Sequence, residues 1–141
     1  MPINEHPPQG TILRCDYSAG FKKPEMVKRR LVIVVSPKIS IRPGLCTIVP
    51  LSTSEPLPQM SYHHKIEFDA PLPQPWGGVD RWVKGDMVNA VGFHRLDFLR
   101  FGKDETGKRI YYYDTVSAEQ LYKVRKTILC GLGLAKLTKH L

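Results

Sequence analysis

Lys28-Arg29-Arg30-Leu31-Val32-Ile33-Val34-Val35-Ser36 and, ten residues further on, Thr47-Ile48-Val49-Pro50-Leu51-Ser52-Thr53-Ser54 decide how this chain is read. Each is a short, β-branched apolar run with a polar end, too short for a helix and bounded like a buried strand. The intervening Arg42-Pro43-Gly44 marks a turn, so the two runs are expected to pair antiparallel. Strands in a sheet lie about 4.8 Å apart, so pairing brings Arg30 and Thr53 together at one rim. A guanidinium and a hydroxyl held by rigid strands make a place to grip a phosphate.

The rest of the chain supplies short strands and one helix. Residues 1–9, rich in proline, read as a flexible tail, leaving 10–141 as a single domain. Gly10–Tyr17 alternates as a first strand, and residues 18–27 form a long loop carrying Phe21, Lys22 and Lys23. Ser61–Phe68 alternates as a strand with His64, Ile66 and Phe68 on one face and His63, Lys65 and Glu67 on the other. Those histidines therefore cannot chelate one ion, and no metal site is expected. His64 reads either as a proton carrier or as a partly buried structural histidine. The tyrosines of Arg109–Tyr113 read as strand packing or as a platform for bases. Ser117-Ala118-Glu119-Gln120 has the form of a capping box, and Leu121, Val124, Ile128, Leu132 and Ala135 follow as a helical stripe with Thr127 off it.

The chain has 141 residues and a net charge of +8, which favours a polyanionic partner. The charge is uneven: residues 1–42 hold eight Lys or Arg against three acids, whereas residues 52–80 hold four acids against Lys65 alone. Cys15, Cys46 and Cys130 are odd in number and lack a Cys-x-x-Cys pair, which suits the reducing cytoplasm better than a disulfide framework or zinc. No apolar run approaches the ~20 residues of a membrane span, and no glycine-rich phosphate loop or other cofactor fingerprint is present.

In order and spacing, Gly10-Thr11-Ile12, the Arg30-headed strand ending in Val34-Val35-Ser36, and Ile48-Val49-Pro50-Leu51-Ser52-Thr53 resemble the MazF/PemK family of toxin ribonucleases over about residues 10–138. The block Trp82-Val83-Lys84-Gly85-Asp86-Met87-Val88 resembles a divergent PemK-like, YifN-type subgroup. The resemblance implies an α+β, mostly β fold: a small, strongly bent antiparallel sheet or SH3-like barrel, like MazF, PemK and CcdB, with a C-terminal helix. It implies a homodimer with a cognate antitoxin partner, no cofactor, and metal-independent cleavage of single-stranded RNA. The family's catalytic arginine and threonine map onto Arg30 and Thr53. Leu31 stands where the family has proline after that arginine, and Gly92 falls near the position where some members carry a carboxylate.

RNA brings its own nucleophile, the 2′-hydroxyl, so such an enzyme need only position and stabilise. Lys22, Lys23, Lys28 and Arg29 would hold flanking phosphates, and Ser52 and Arg95 complete the expected RNA-contacting set. His64 and His94 are the imidazoles available for proton transfer. The alternative is a binding protein without chemistry: a CcdB-like gyrase inhibitor, or a relative that binds RNA or antitoxin but has lost cleavage.

Overall fold

The two apolar runs pair antiparallel, with Val32 opposite Pro50, Ile33 opposite Val49 and Val34 opposite Ile48. They are the middle of one sheet in the computed structural model, which describes residues 1–141. In chain order the strands are β1 (Ile12–Asp16), β2 (Arg29–Val34), β3 (Leu45–Ser52), β4 (His63–Glu67), β5 (Asp80–Lys84), β6 (Asn89–Gly92), β7 (Leu96–Lys103) and β8 (Arg109–Tyr112). The helix α1 (Ala118–Gly131) follows, then a 3₁₀ segment, Ala135–His140. Spatially the order is β4-β5-β3-β2-β1-β7-β8, with β6 also on β3 and every ladder antiparallel. The sheet is not closed into a hydrogen-bonded barrel.

Its bend originates in β3. One edge of β3 takes β2, while the other is divided between β6 (at Leu45–Ile48) and β5 (at Leu51 and Ser52). Val35 N donates to Thr47 O, so by alternation Val49 bonds toward β2 and Pro50 faces the outer edge. There it lies in the gap between β6 and β5, where a residue without an N–H forfeits no ladder bond.

Alternation along the strands builds two cores on opposite faces of the sheet. Ile12, Leu31, Ile33, Leu51, Ile66 and Val83 pack under α1 with Val124. Leu13, Cys15, Val32, Val34, Ile48 and Leu96 fill the other face with Tyr17. Burial pushes the Cys15 thiol up to about 12 and the Cys46 thiol up to about 11, so both are inert apolar fillers at neutral pH.

Two expectations are corrected. Residues 1–9 are docked rather than loose: Ile3 is buried and donates to Leu96 O at 2.9 Å, His6 bonds the Ser36 hydroxyl at 2.9 Å, and Gln9 donates to Val35 O at 3.0 Å. Buried Ile3 and Pro7, with these three hydrogen bonds, seat a short proline-stiffened segment against the sheet. The helical stripe also ends early. Ser117 caps α1 by accepting from Gln120 N at 3.2 Å, and Val124 is fully buried, but Leu132 is 59% exposed. Thr127, expected off the stripe, is buried and donates to Val124 O at 2.6 Å. The cause is the turn after β5: a Cβ on Gly85 would collide with Thr127, and one on Gly131 would sit 2.8 Å from Asp86 Cα. Two glycines thus let the helix lie directly on that turn, rotating it relative to the apolar stripe.

Candidate active site

The site begins with the loop that leads into β2. Lys28 has φ of +70°, the one non-glycine residue in the left-handed region, a conformation that costs a lysine about 1 kcal/mol. Tyr17 N donates to Lys28 O at 2.7 Å and ties the loop's two ends together. Arg29 lies opposite Asp16 of β1, with Nε 3.5 Å from Oδ2. Asp16 also accepts from Ser18 N at 2.8 Å and from the Ser18 hydroxyl. The Ser18 bonds first, and Arg29 after them, hold the Asp16 carboxyl below the usual carboxylate range.

Arg30, half-buried, is opposite Cys15 and faces the Tyr17 side of the sheet. Its Nε donates to Val27 O at 3.2 Å, and it forms no ion pair with either Asp16 or Asp86. The two terminal nitrogens keep their N–H groups free, aimed from a guanidinium whose base is fixed. The β2–β3 ladder stops at Val32 and Pro50. Beyond that pair β3 is bonded to β5, at Leu51 and Ser52, and Arg30 heads β2 at the rim where the β2–β3 ladder ends. Ser52 is nearly buried and its hydroxyl accepts from Ser54 N at 3.1 Å. That bond bends the chain at Thr53, which is exposed with its hydroxyl unpartnered.

The remaining predicted residues divide. Lys22 and Lys23 are exposed on the loop that enters β2. Arg95 instead holds that loop: Nη1 donates to Asp16 O at 3.1 Å and to Ala19 O at 2.7 Å, and its guanidinium lies 4.7 Å over the Phe21 ring. Phe21 in turn packs edge-on against Tyr17 at 5.1 Å. His64 belongs to the other face of the sheet. It is opposite Val83, which is opposite Leu51, a row that points toward α1, and its Nε2 is 3.0 Å from Gln120 Oε1. Arg30 and His64 therefore do not share a surface. His94 is exposed, makes no hydrogen bond, and folds its ring over Gly92, where a Cβ would lie 2.6 Å from it. No three metal-ligating side chains converge anywhere in the molecule.

One neighbour escaped the reading of the sequence. Trp82 lies opposite Ser52, and Lys65 opposite Trp82, which extends the Arg30 face by an aromatic ring and a cation. The pairing of β3 with β5 creates this row, and no local pattern announces it. The edge offers the fixed guanidinium fork of Arg30 with exposed cations on the loop that leads into it, groups suited to a tetrahedral anion flanked by further phosphates.

Residues 8–130 match the family described as PemK-like, MazF-like toxin of type II toxin-antitoxin system. A Haemophilus influenzae protein is 30% identical over 149 residues, spanning 97% of this chain and 98% of its own length. The Escherichia coli protein YifN is 31% identical over 118 residues, spanning 71% of this chain and 78% of its own. Among solved structures, a mycobacterial endoribonuclease in complex with its cognate antitoxin superposes with a TM-score of 0.59 at 18% identity, covering 91% of this chain and 96% of that one. MazF from Deinococcus radiodurans gives 0.59 at 18% identity, covering 91% and 97%. At such identity these two speak for the fold, whereas the family match speaks for descent.

Proposed function

The chain belongs to the PemK-like, MazF-like toxin family of type II toxin–antitoxin systems, and on that premise we propose that it is a metal-independent endoribonuclease cutting single-stranded RNA. The observation that supports the reading is the Arg30 guanidinium, held at its base by Val27 O with its two terminal nitrogens free. The 2′-hydroxyl attacks the adjacent phosphorus, the 5′-oxygen leaves, and the products are a 2′,3′-cyclic phosphate and a 5′-hydroxyl end. Arg30 donates two parallel hydrogen bonds to the non-bridging oxygens as their charge grows. Thr53 donates a third from the neighbouring strand end. Lys22, Lys23, Lys28 and Arg29 hold the flanking phosphates, and Ser52 shapes the bend that presents Thr53. Arg95 acts through the loop it straps down. His64 is engaged by Gln120 on the far face, so His94 is the imidazole we retain for proton transfer.

The partner in the cell is a cognate antitoxin, in keeping with the family and with the antitoxin-bound mycobacterial neighbour. We further assign the working form to a homodimer in the cytoplasm; no helix is long and apolar enough to cross a membrane. The test is end-labelled single-stranded RNA incubated with the pure protein in EDTA, beside an Arg30→Ala variant. Cutting that leaves cyclic-phosphate ends and disappears in the variant supports the assignment. RNA left intact by the wild type, or cut equally well by the variant, overturns it. Sedimentation of the same preparation reads the dimer.

A further inference from the structure

A groove of about 710 Å³, sharing no residue with the Arg30 edge, lies between the end of β8, the loop after β4 and the first turn of α1. Its walls carry Glu67, Asp69, Asp114 and Glu119 and no Lys, Arg or His, on a chain whose net charge is +8. Only Glu119 has a countercharge, Lys123 at 3.5 Å on the exposed side of α1. The positive end of α1 is already answered by the Ser117 cap and by Glu119 in the first turn, which leaves the other three carboxylates uncompensated.

A second observation points to a ligand. Tyr112, 9% exposed, lines this groove, and its hydroxyl makes no hydrogen bond. Asp114 and Asp69 line the same groove without accepting from that hydroxyl, and burial first, then their charges, push the phenol above the ordinary range. Phe101 stands edge-on to Tyr112 at 5.8 Å, and Phe68 adds a further ring to the wall. Aromatic faces beside carboxylates are the setting in which a guanidinium or ammonium is held by charge and by cation–π attraction together. The carboxylates do not converge as metal ligands would, and they repel phosphate. The volume suits several side chains rather than one ion.

We propose that this groove docks an extended, arginine- or lysine-bearing segment of a partner protein, with one cationic head group between Asp69 and Asp114 and within reach of the Tyr112 hydroxyl. The surface is separate from the proposed RNA edge, so a partner could bind it while RNA occupies the other.

The experiment titrates the full-length protein with a short peptide alternating arginine and serine, followed by calorimetry and by the Tyr112 ring resonances. A glutamate–serine peptide and magnesium chloride alone serve as comparison probes. The arginine peptide is expected to bind and to shift Tyr112. The paired variant Asp69→Asn/Asp114→Asn should weaken it about tenfold or more, and Tyr112→Phe about threefold, in line with loss of charge-assisted and neutral-donor bonds respectively. Because both aspartates are exposed or at loop positions, the paired variant keeps the fold. Equal affinity in the paired variant, binding by magnesium alone, or self-association that the paired variant abolishes would each overturn the proposal. RNA cleavage is read on the same preparations and is expected unchanged in the paired variant. Failure of the wild type to cut RNA bears on the ribonuclease reading and leaves the peptide result standing by itself.

Discussion

The Arg30 edge and the Tyr112 groove are built by opposite means. At the edge, local sequence does most of the work: Lys28, Arg29 and Arg30 are consecutive where the loop enters β2. The guanidinium is fixed at its base by Val27 and left free at its tip. The groove draws its carboxylates from positions 67, 69, 114 and 119, and nothing local connects them until α1 and β8 close over the loop after β4. The edge is open and cationic; the groove is recessed and anionic. On the two proposals a single chain separates a surface for phosphates from a surface for cations, each of which would repel the other's ligand.

The largest test of that separation is Arg30→Ala. RNA cleavage should fall by on the order of 10²–10³, the loss seen when one donor to a developing oxyanion is removed, with the fold unchanged by circular dichroism. Arg30→Lys should recover little of it, because an ammonium cannot supply two parallel bonds. Asp69→Asn/Asp114→Asn should leave the same rate untouched; a fall there would merge the two regions into one site. Next in size is Thr53→Val, which removes a single hydroxyl donor to a charged group. It should slow single-turnover cleavage about 10- to 100-fold without altering thermal stability, since the side chain is exposed.

Lys22→Ala with Lys23→Ala addresses binding rather than chemistry. Each phosphate contact removed should flatten the salt dependence of RNA affinity by about 0.7 in the log–log slope, read by fluorescence anisotropy. The same pair should not alter binding of the arginine peptide.

The two regions should also yield at opposite ends of the pH scale. The folded-state Asp16 carboxyl is lowered, chiefly by Ser18 and then by Arg29. Its contribution is therefore complete above the unfolded value of about 4 and is lost as pH falls through the folded value. Amides of residues 17–29 should accordingly exchange faster in acid before the rest of the sheet does. Tyr112 is shifted up, by burial first and by Asp114 and Asp69 after it. Its contribution is complete below about pH 10 and is lost as pH rises through the folded value. The smallest effect expected is the return of the Tyr112 titration toward its ordinary range in Asp69→Asn/Asp114→Asn, followed by its ring shifts. An unmoved titration would mean that the carboxylates do not face the phenol.

How much of this was legible in the sequence varies with the range of the contacts. The β2 and β3 runs and their antiparallel pairing follow from local pattern, as do the Ser117 cap and the placing of His64 and Ile66 on one face. Which face also carries Arg30 was not legible. That answer depends on adding two registers, His64 to Val83 and Val83 to Leu51. Arg95 reads as one more cation for RNA, yet its hydrogen bonds go to Asp16 and Ala19, 79 and 76 residues earlier in the chain. Thr127 is misread for a similar reason: the glycine that gives it room, Gly85, belongs to a different element.

The order of residues alone determined that this chain is a small β-rich protein with a basic, arginine-headed strand and a closing helix. Those features rest on hydrophobic periodicity, turn chemistry and charge along neighbouring residues, all of which act over a few positions. Only the tertiary structure decided that His64 lies across the sheet from Arg30 and that four scattered acids share a groove with Tyr112. Alternation fixes the side a residue takes within its own strand, but the strand's neighbours and its register are set by packing the whole sheet. A one-residue slip in any ladder would exchange its two faces, so the sites exist only once every ladder is in place.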